Sequence, residues 1–206
     1  MGEHFPADRH AVFTMVSPQS MAAFRDAVAA HGGRISVAVS ESPVGPFQFY
    51  DHEHYPDGTL LGAKEGDDFQ YDPGIFVDDN GRVYLVSGFC PIPGINPKFA
   101  AMNLVTTGCQ LIELAANMCT VRAAPQIVLP QQADAEGTEF AEHPFFEAPS
   151  LRKANGRYYL IYSSTQNHEL CYAVADKPQG VYHYGGTIVS NGDIGLDGRT
   201  VPCNYT

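Results

Sequence analysis

Positive charge is scarce in this sequence, and long apolar runs are missing from it. Only 12 of the 206 residues are lysine or arginine, whereas 23 are aspartate or glutamate, which gives a formal net charge of −11. Binding to nucleic acid depends on clustered lysine and arginine side chains, so we predict no nucleic-acid partner. No apolar run approaches the ~20 residues that cross a bilayer, and an acidic surface repels anionic lipids, so we predict no membrane partner.

Closely paired cysteines and a secretory leader are also lacking. The five cysteines are widely and irregularly spaced, without the CxxC pair of zinc sites or thioredoxin-like motifs. We therefore expect reduced and mostly buried thiols in a cytoplasmic protein. Residues 1–6 are not the basic segment followed by an apolar one that begins a signal peptide, so a cytoplasmic location is predicted unless a leader has been lost. The five cysteines are Cys90, Cys109, Cys119, Cys171 and Cys203.

Two acidic segments have the composition of metal sites but not the spacing. In the segment 51–54 (Asp-His-Glu-His), His52 and His54 would share one face of a strand without a third ligand. Residues 65–68 (Glu-Gly-Asp-Asp) lack the ligand spacing of an EF-hand loop. We predict that both segments are solvated and that the protein binds no metal and no cofactor.

Strand patterns dominate the sequence. Apolar and small residues alternate over 35–40, which is typical of a half-buried strand. The runs 83–86 and 158–162 are rich in β-branched and aromatic residues, and each follows an Asn-Gly pair that suits a two-residue hairpin. One helix is predicted, from Ser20 to Ala30, because its apolar residues recur on one helical face.

An internal repeat is the main structural signal. Six positions recur 75 residues apart, and five of the six pairs are identical, while the sixth matches aspartate to glutamate. The first copy has Asp72, Asn80, Gly81, Arg82, Tyr84 and Leu85, and the second has Glu147, Asn155, Gly156, Arg157, Tyr159 and Leu160. A weaker third copy precedes them, because 35–47 resembles 170–182 and 12–17 resembles the second strand of the repeat unit. All-β repeats of this size are typical of β-propeller blades.

The repeat also predicts how much of a propeller the sequence contains. Aligning Phe13 with Tyr84 leaves residues 2–9 where the first strand of a blade belongs, and their composition is not that of a strand. We count fewer than three blades, whereas a closed ring needs about four or more. We therefore expect residues 1–206 to form a partial propeller domain without its first and last blades.

Asp72 and Glu147 hold the same register in the two clear copies of the repeat. Equivalent inner strands of a propeller line one channel, so the two carboxyl groups would face one cavity. Glycoside cleavage uses a protonated carboxyl group on the leaving oxygen and a second carboxylate to activate water or to attack. Apolar residues flank Glu147, and such surroundings raise a carboxyl pKa as a general acid requires. In a second interpretation, Asp72 opens an Asp-Pro turn and Glu147 is a surface strand residue.

Three segments resemble, in the same order, motifs of glycoside hydrolase family 43, which holds β-xylosidases, α-L-arabinofuranosidases and arabinanases. Residues 71–85 (YDPGIFVDDNGRVYL) are similar to the family's second carboxylate motif. Residues 146–153 (FEAPSLRK) with 156–164 (GRYYLIYSS) are similar to its general-acid motif, and 40–47 (SESPVGPF) to its blade-ending element. The resemblance extends over about residues 35–194.

This resemblance implies an all-β, five-bladed β-propeller, of which the chain would cover roughly blades two to four. It also implies hydrolysis with inversion at the anomeric centre. Glu147 would be the general acid, and Asp72 would orient Glu147 and tune its pKa. The family's general base is an aspartate on the first blade, and no position of this sequence matches it. Asp8 is rejected as that base because it lies a few residues before Phe13 and not a whole blade upstream.

Three further residues are predicted to contact the substrate. Phe89 and Phe146 could stack on a sugar face, although packing in the core is the alternative for both. His168 lies in the loop after the tyrosine-rich strand, where it could hydrogen-bond sugar hydroxyls or be a solvated loop residue.

We therefore predict a glycosidase that removes arabinofuranosyl or xylosyl units from plant cell-wall oligosaccharides. The 206 residues alone are predicted to be inactive for lack of a base, and to self-associate through open blade edges. One alternative is a propeller that binds sugar or serves as a scaffold without catalysis. Another is the group of invertase- and levansucrase-like propellers, whose Glu-Cys-Pro motif matches the Glu-Ala-Pro at Glu147 less well.

Overall fold

The computed structural model describes residues 10–14, 34–92, 94, 104–166 and 169–190, and these ranges are all-β. They contain eleven strands and one turn of 3-10 helix, Gln132–Asp134. The strands are β1 His10–Thr14, β2 Ser36–Ser40, β3 Gln48–His52, β4 Gly74–Val77, β5 Val83–Ser87, β6 Gly108–Leu114, β7 Gln126–Pro130, β8 Phe145–Ala154, β9 Arg157–Ser164, β10 Leu170–Ala175 and β11 His183–Val189. The helix predicted for Ser20 to Ala30 lies outside the described residues.

The strands form three antiparallel sheets in which neighbours along the chain pair with each other. Strands β4–β7 make one four-stranded sheet, β8–β11 make a second, and β1–β3 make a three-stranded sheet. Each four-stranded sheet begins with one clear copy of the repeat, so the sequence repeat corresponds to a repeated sheet. The described residues do not close into a ring, so the five-bladed propeller and the assignment to blades two to four stay predictions.

The two Asn-Gly turns differ although their sequences match. Between β8 and β9, Asn155 and Gly156 have φ angles of 49° and 73°, as the predicted two-residue hairpin requires. Between β4 and β5, the Asp78 N–H donates to the Arg82 carbonyl at 2.9 Å, so three residues form the loop and the two-residue prediction is wrong there. The Asp78 carboxylate accepts a hydrogen bond from the Asp79 N–H at 2.8 Å, and this local bond supports the wider loop.

Strand β2 is buried on both faces and not half-buried as its alternating pattern predicts. Ser36 and Ser40 are 0% and 3% exposed. Both hydroxyl groups have partners, since Ser36 Oγ lies 2.9 Å from His52 Nδ1 and Ser40 Oγ accepts a hydrogen bond from the Ser42 N–H at 3.1 Å. Small hydroxyl side chains with local partners are therefore tolerated inside, which the apolar pattern alone does not indicate.

The prediction that both acidic segments are solvated is wrong for the first segment and holds only in part for the second, in which Glu65 and Gly66 are exposed. His52 and Glu53 are buried because the chain after β3 makes backbone hydrogen bonds with residues 119–121. In the second segment, Asp68 is buried and accepts hydrogen bonds from the N–H and the hydroxyl group of Thr107, at 2.9 and 2.6 Å. Contacts with distant segments therefore bury carboxyl groups that the local sequence places on the surface.

Two hydrophobic clusters lie on opposite faces of the β4–β7 sheet. The larger cluster lies between this sheet and β8–β11, and the smaller lies between this sheet and residues that precede β4. Alternation along β5 separates them, since Tyr84 and Val86 belong to the larger cluster and Val83 and Leu85 to the smaller. The larger cluster includes Cys109, Leu111, Leu129, Phe145, Leu151, Leu160, Tyr162, Cys171 and Ala173.

Strand β4 packs against β8 and so brings the two repeat copies together. A Cβ atom on Gly74 would lie 2.5 Å from the Pro149 carbonyl oxygen, so only glycine permits this approach. Beyond the other end of β4, Lys153 Nζ lies 2.6 Å from Asp78 Oδ1, and the Tyr158 hydroxyl donates to Asp78 Oδ2 at 2.7 Å. Asp78 and Lys153 are equivalent positions of the repeat, so the ion pair joins corresponding points of the two sheets.

We expect Asp78→Ala to lower the free energy of unfolding by about 1–3 kcal/mol, because the donors of Lys153 and Tyr158 lose a buried acceptor. Asp79→Ala is the matched control. Asp79 also lies 3.0 Å from Lys153 Nζ, but its side chain is 86% exposed, and such pairs contribute about 0–1 kcal/mol. Urea unfolding measures both variants, and equal losses would contradict an anchoring role for Asp78.

The cysteines have the predicted reduced state where the structure describes them. Cys90, Cys109, Cys119 and Cys171 are free and buried, and Cys203 lies outside the described ranges.

Within the described ranges, no helix has both the length and the apolar character needed to cross a membrane.

Candidate active site

Glu147 projects from an irregular point near the start of β8. The pairing with β9 shifts between Phe145 and Glu147, and again between Glu147 and Ser150. Ala148, the next residue, has a left-handed φ of 53°. Irregularities of this kind re-aim side chains and are common beside active sites. The Glu147 residue itself is only 7% exposed.

Asp72 precedes β4 and is bound to the backbone of β8. Its φ of 48° is uncommon for a residue other than glycine. Its carboxylate accepts a hydrogen bond from the Ala148 N–H, immediately beside Glu147. The two carboxyl groups therefore lie close together where β4 and β8 begin, as their shared register predicts. The described residues do not enclose the channel that the propeller interpretation places around them.

The environment of Glu147 favours its protonated form. Burial, and then the negative charge of Asp72, raise the pKa of Glu147 to about 7. Burial also raises the pKa of Asp72, while the hydrogen bond from the Ala148 N–H lowers it. The pair thus combines a carboxyl group that keeps its proton near neutral pH with a second carboxyl group whose charge is partly balanced by a backbone donor.

A row of aromatic rings borders the two carboxyl groups. The Phe89 and Phe146 ring centroids are 5.5 Å apart, and the Tyr71 and Phe89 centroids are 4.9 Å apart. Phe89 is 7% exposed, so most of its surface serves packing, whereas Phe146 is half-buried. Stacking of either ring on a sugar stays a prediction. His168, the third predicted contact, lies outside the described residues.

Tyr71 is a residue of this site that the sequence interpretation missed. Its N–H donates to Ser87 Oγ at 3.0 Å, and its carbonyl accepts from the Ser87 hydroxyl at 2.9 Å, which fixes the backbone beside Asp72. Burial raises the pKa of Tyr71, and the charges of Asp72 and Glu147 raise it further, so the phenol lies within the field of both carboxyl groups. The only signal in the sequence was its position directly before Asp72.

Comparison with known proteins adds evidence that is independent of this geometry. No protein-family model matches the sequence. A xylosidase/arabinosidase of Thermoclostridium stercorarium is 44% identical over 163 residues, which cover 79% of this chain and 32% of that protein. A xylosidase/arabinosidase of Bacteroides ovatus is 28% identical over 174 residues, which cover 76% of this chain and 49% of that protein. The chain thus spans about a third to a half of the length of these relatives.

The fold agrees with the sequence relatives. The crystal structure of a GH43 β-xylosidase/α-arabinofuranosidase from a compost microbial metagenome, in complex with xylotriose, matches with a TM-score of 0.54 and 25% identity. The match covers 76% of this chain and 49% of that one. Motif order, named relatives and a shared all-β fold all indicate one family. The chain belongs to glycoside hydrolase family 43.

Proposed function

We propose that this sequence carries the general-acid side of an inverting glycosidase that removes arabinofuranosyl or xylosyl units from plant cell-wall oligosaccharides. The observation that carries the proposal is the buried position of Glu147 next to Asp72, which raises the pKa of Glu147 to about 7. A carboxyl group with this pKa is protonated in part of the population at neutral pH and can pass its proton to a leaving oxygen.

Glu147 donates its proton to the glycosidic oxygen while the bond from that oxygen to the anomeric carbon breaks. The leaving sugar departs as a neutral alcohol, and Glu147 becomes a carboxylate. Asp72 favours the protonated form of Glu147 before bond cleavage, because two adjacent negative charges repel. The hydrogen bond from the Ala148 N–H holds Asp72 at a fixed place relative to Glu147, which supports a positioning role for Asp72.

Inversion also needs a base that activates water on the opposite face of the sugar, with the two carboxyl groups about 6.5–9.5 Å apart. No position of this sequence matches the aspartate that supplies the base in the family. Asp72 is not proposed for that task, because its hydrogen bond to the Ala148 N–H keeps it on the same side as Glu147.

Pentose-containing oligosaccharides are the proposed substrates. The names of the relatives and the xylotriose bound by the structural neighbour support this class. Tyr71 packs its ring against Phe89 and is half-buried, so its hydroxyl group is proposed to donate to a sugar hydroxyl near the two carboxyl groups. Phe146 and His168 are proposed as further contacts to the sugar.

We expect Asp72→Asn to move the alkaline limb of the pH–rate profile to lower pH in an active form that supplies the base. The asparagine oxygen can still accept from the Ala148 N–H, but the negative charge is gone, so the pKa of Glu147 falls and its proton is lost earlier as pH rises. The shift should be smaller than the effect of burial, which is the larger cause of the raised pKa.

The pH dependence of kcat/KM measures this shift. Asp79→Asn is the control, since Asp79 lies past the other end of β4 and is exposed. An alkaline limb that stays in place in Asp72→Asn, with activity retained, would show that Asp72 does not tune Glu147.

A sugar-binding propeller without turnover is the second candidate. The aromatic rings beside the two carboxyl groups favour it, because Tyr71, Phe89 and Phe146 could hold a sugar whether or not it is cleaved. Its distinguishing property is affinity for xylotriose without any hydrolysis, even when the missing base is supplied in trans. We also propose that residues 1–206 form a partial catalytic β-propeller domain, without its first and last blades, and that the protein is cytoplasmic.

A further inference from the structure

A second cluster of reactive side chains lies near the start of β8 and β10, apart from the Asp72–Glu147 pair. His143 Nδ1 lies 2.6 Å from Glu169 Oε2, and Cys171 Sγ lies 3.4 Å from the same oxygen. The three potential ligand atoms all lie within 4.8 Å of one another. Two segments of the chain therefore bring an imidazole, a carboxylate and a thiol to one point.

Local pairing explains how this cluster forms. Glu169 and Cys171 are two residues apart at the start of β10, so their side chains share one face. The Tyr162 hydroxyl donates to the His143 carbonyl at 2.8 Å, which fixes the backbone before β8. The His143 ring stacks on the Tyr184 ring, with centroids 4.7 Å apart and an interplanar angle of 5°.

Of the three ligand separations, one matches a tetrahedral zinc ion, one is shorter, and the separation of His143 from Cys171 is within 4.8 Å. With Zn–N and Zn–O bonds of about 2.0–2.1 Å and Zn–S bonds of about 2.3 Å, tetrahedral ligand atoms lie roughly 3.3–3.6 Å apart. The distance from Cys171 Sγ to Glu169 Oε2 already falls in this range at 3.4 Å. The His143–Glu169 pair, at 2.6 Å, would have to open by roughly 0.7 Å when the ion binds.

Burial and neighbours also suit a bound cation. The Glu169 and His143 side chains are 9% and 26% exposed, so the cluster is enclosed on one side and reached from solvent past His143. Glu169 Oε2 lies within hydrogen-bond distance of His143, Ser164 and Cys171, so the carboxylate faces both of the other ligands. The Cys171 thiol is buried beside the same carboxylate, and a coordinated metal ion deprotonates such a thiol.

We propose that His143, Glu169 and Cys171 bind one zinc ion, with a fourth position open to water on the exposed side. The sulfur ligand excludes Ca²⁺ and Mg²⁺, which prefer all-oxygen sites, and selects a thiophilic cation. Binding forms a Zn–S bond and releases the thiol proton to solvent, with no change of oxidation state. The Ser164 hydroxyl donates to Glu169 Oε2 at 3.1 Å and orients this ligand. The ion would tie β10 to the segment that leads into β8.

Titration of the purified chain with Co²⁺, a spectroscopic substitute for zinc, tests the site directly. We expect one equivalent of Co²⁺ to produce a near-ultraviolet thiolate charge-transfer band and tetrahedral visible bands, which Zn²⁺ then removes. The thiolate band should vanish in Cys171→Ser and persist in Cys119→Ser, a matched buried thiol elsewhere in the fold. No thiolate band in the wild type, or loss of the band in Cys119→Ser alone, would overturn the proposal.

Two further variants keep the test valid if Cys171→Ser fails to fold. His143→Ala removes a partly exposed ligand, and we expect Zn²⁺ affinity, measured by competition with a chelator, to fall by at least about tenfold. Ser164→Ala should cost about 10–100-fold, as is typical when the group that orients a ligand is removed. Unchanged Zn²⁺ affinity in His143→Ala would show that any bound ion lies elsewhere.

Discussion

Glu147→Gln is expected to abolish most hydrolysis of glycosides with poor leaving groups, by about 10²–10⁴-fold in kcat/KM, and to spare activated aryl glycosides. An alkoxide is a poor leaving group and needs the proton that Glu147 holds at its raised pKa of about 7. An activated phenolate leaves without protonation, so the variant loses little on that substrate. The measurement compares both substrate types in an active form that supplies the base.

Glu142→Gln is the matched control for this prediction. Glu142 is five residues away and exposed, so neutralising it should leave both substrates unaffected. If Glu147→Gln reduced hydrolysis of both substrate types equally, proton donation would not be its function, and a binding or structural role would remain.

The stability of the same variant separates lost chemistry from lost folding. Glu147 has a pKa of about 7 in the folded chain, against an ordinary value of 4.5, so folding takes up a proton between these pH values. The favourable contribution of the protonated group is full below about pH 4.5 and is lost as pH rises through about 7. Glu147→Gln removes this dependence, so thermal unfolding should show the variant gaining stability relative to wild type at about pH 8.

The repeat made much of the architecture predictable. Five identical pairs at a fixed spacing indicated two equivalent hairpins, and the structure has them as β4–β5 and β8–β9. The same register placed Asp72 and Glu147 at corresponding points, and the hydrogen bond from the Ala148 N–H brings them together. Such agreement arises because strand patterns and turn residues are local signals, although the loop between β4 and β5 is wider than its Asn-Gly pair predicts.

Features that depend on distant contacts were not predictable. The burial of Asp68 depends on Thr107, and that of Glu53 on backbone pairing with residues 119–121. In the second cluster of reactive side chains, His143 lies 26 residues before Glu169 and 28 residues before Cys171, which is not the spacing of a known motif. Local sequence indicates periodicity and turns, whereas strand pairing decides which distant side chains meet. The cluster of His143, Glu169 and Cys171 therefore could not be predicted before the sheets were known.

The 206 residues alone are expected to show no enzymatic hydrolysis of either aryl α-L-arabinofuranoside or aryl β-D-xyloside. Inversion requires water activated on the face of the sugar opposite Glu147, about 6.5–9.5 Å from the acid. No position in the sequence matches the family's base, and Asp72 is held beside Glu147 by the Ala148 N–H. Protonation without an activated nucleophile leaves the larger part of the barrier in place, even for substrates whose leaving group needs no acid.

Self-association should accompany this inactivity. Among the described strands, β11 lies at an edge of its sheet, and Ile188 and Val189 on it are 49% and 38% exposed. Exposed apolar edges pair readily with other chains, so size-exclusion chromatography should show species larger than a monomer of 22.4 kDa. Association supplies no base, because each copy lacks the same aspartate. The assay includes xylotriose, a substrate with a poor leaving group, for which Glu147→Ala is the background. Robust turnover of xylotriose that disappears in this variant would mean that another residue of the chain activates water.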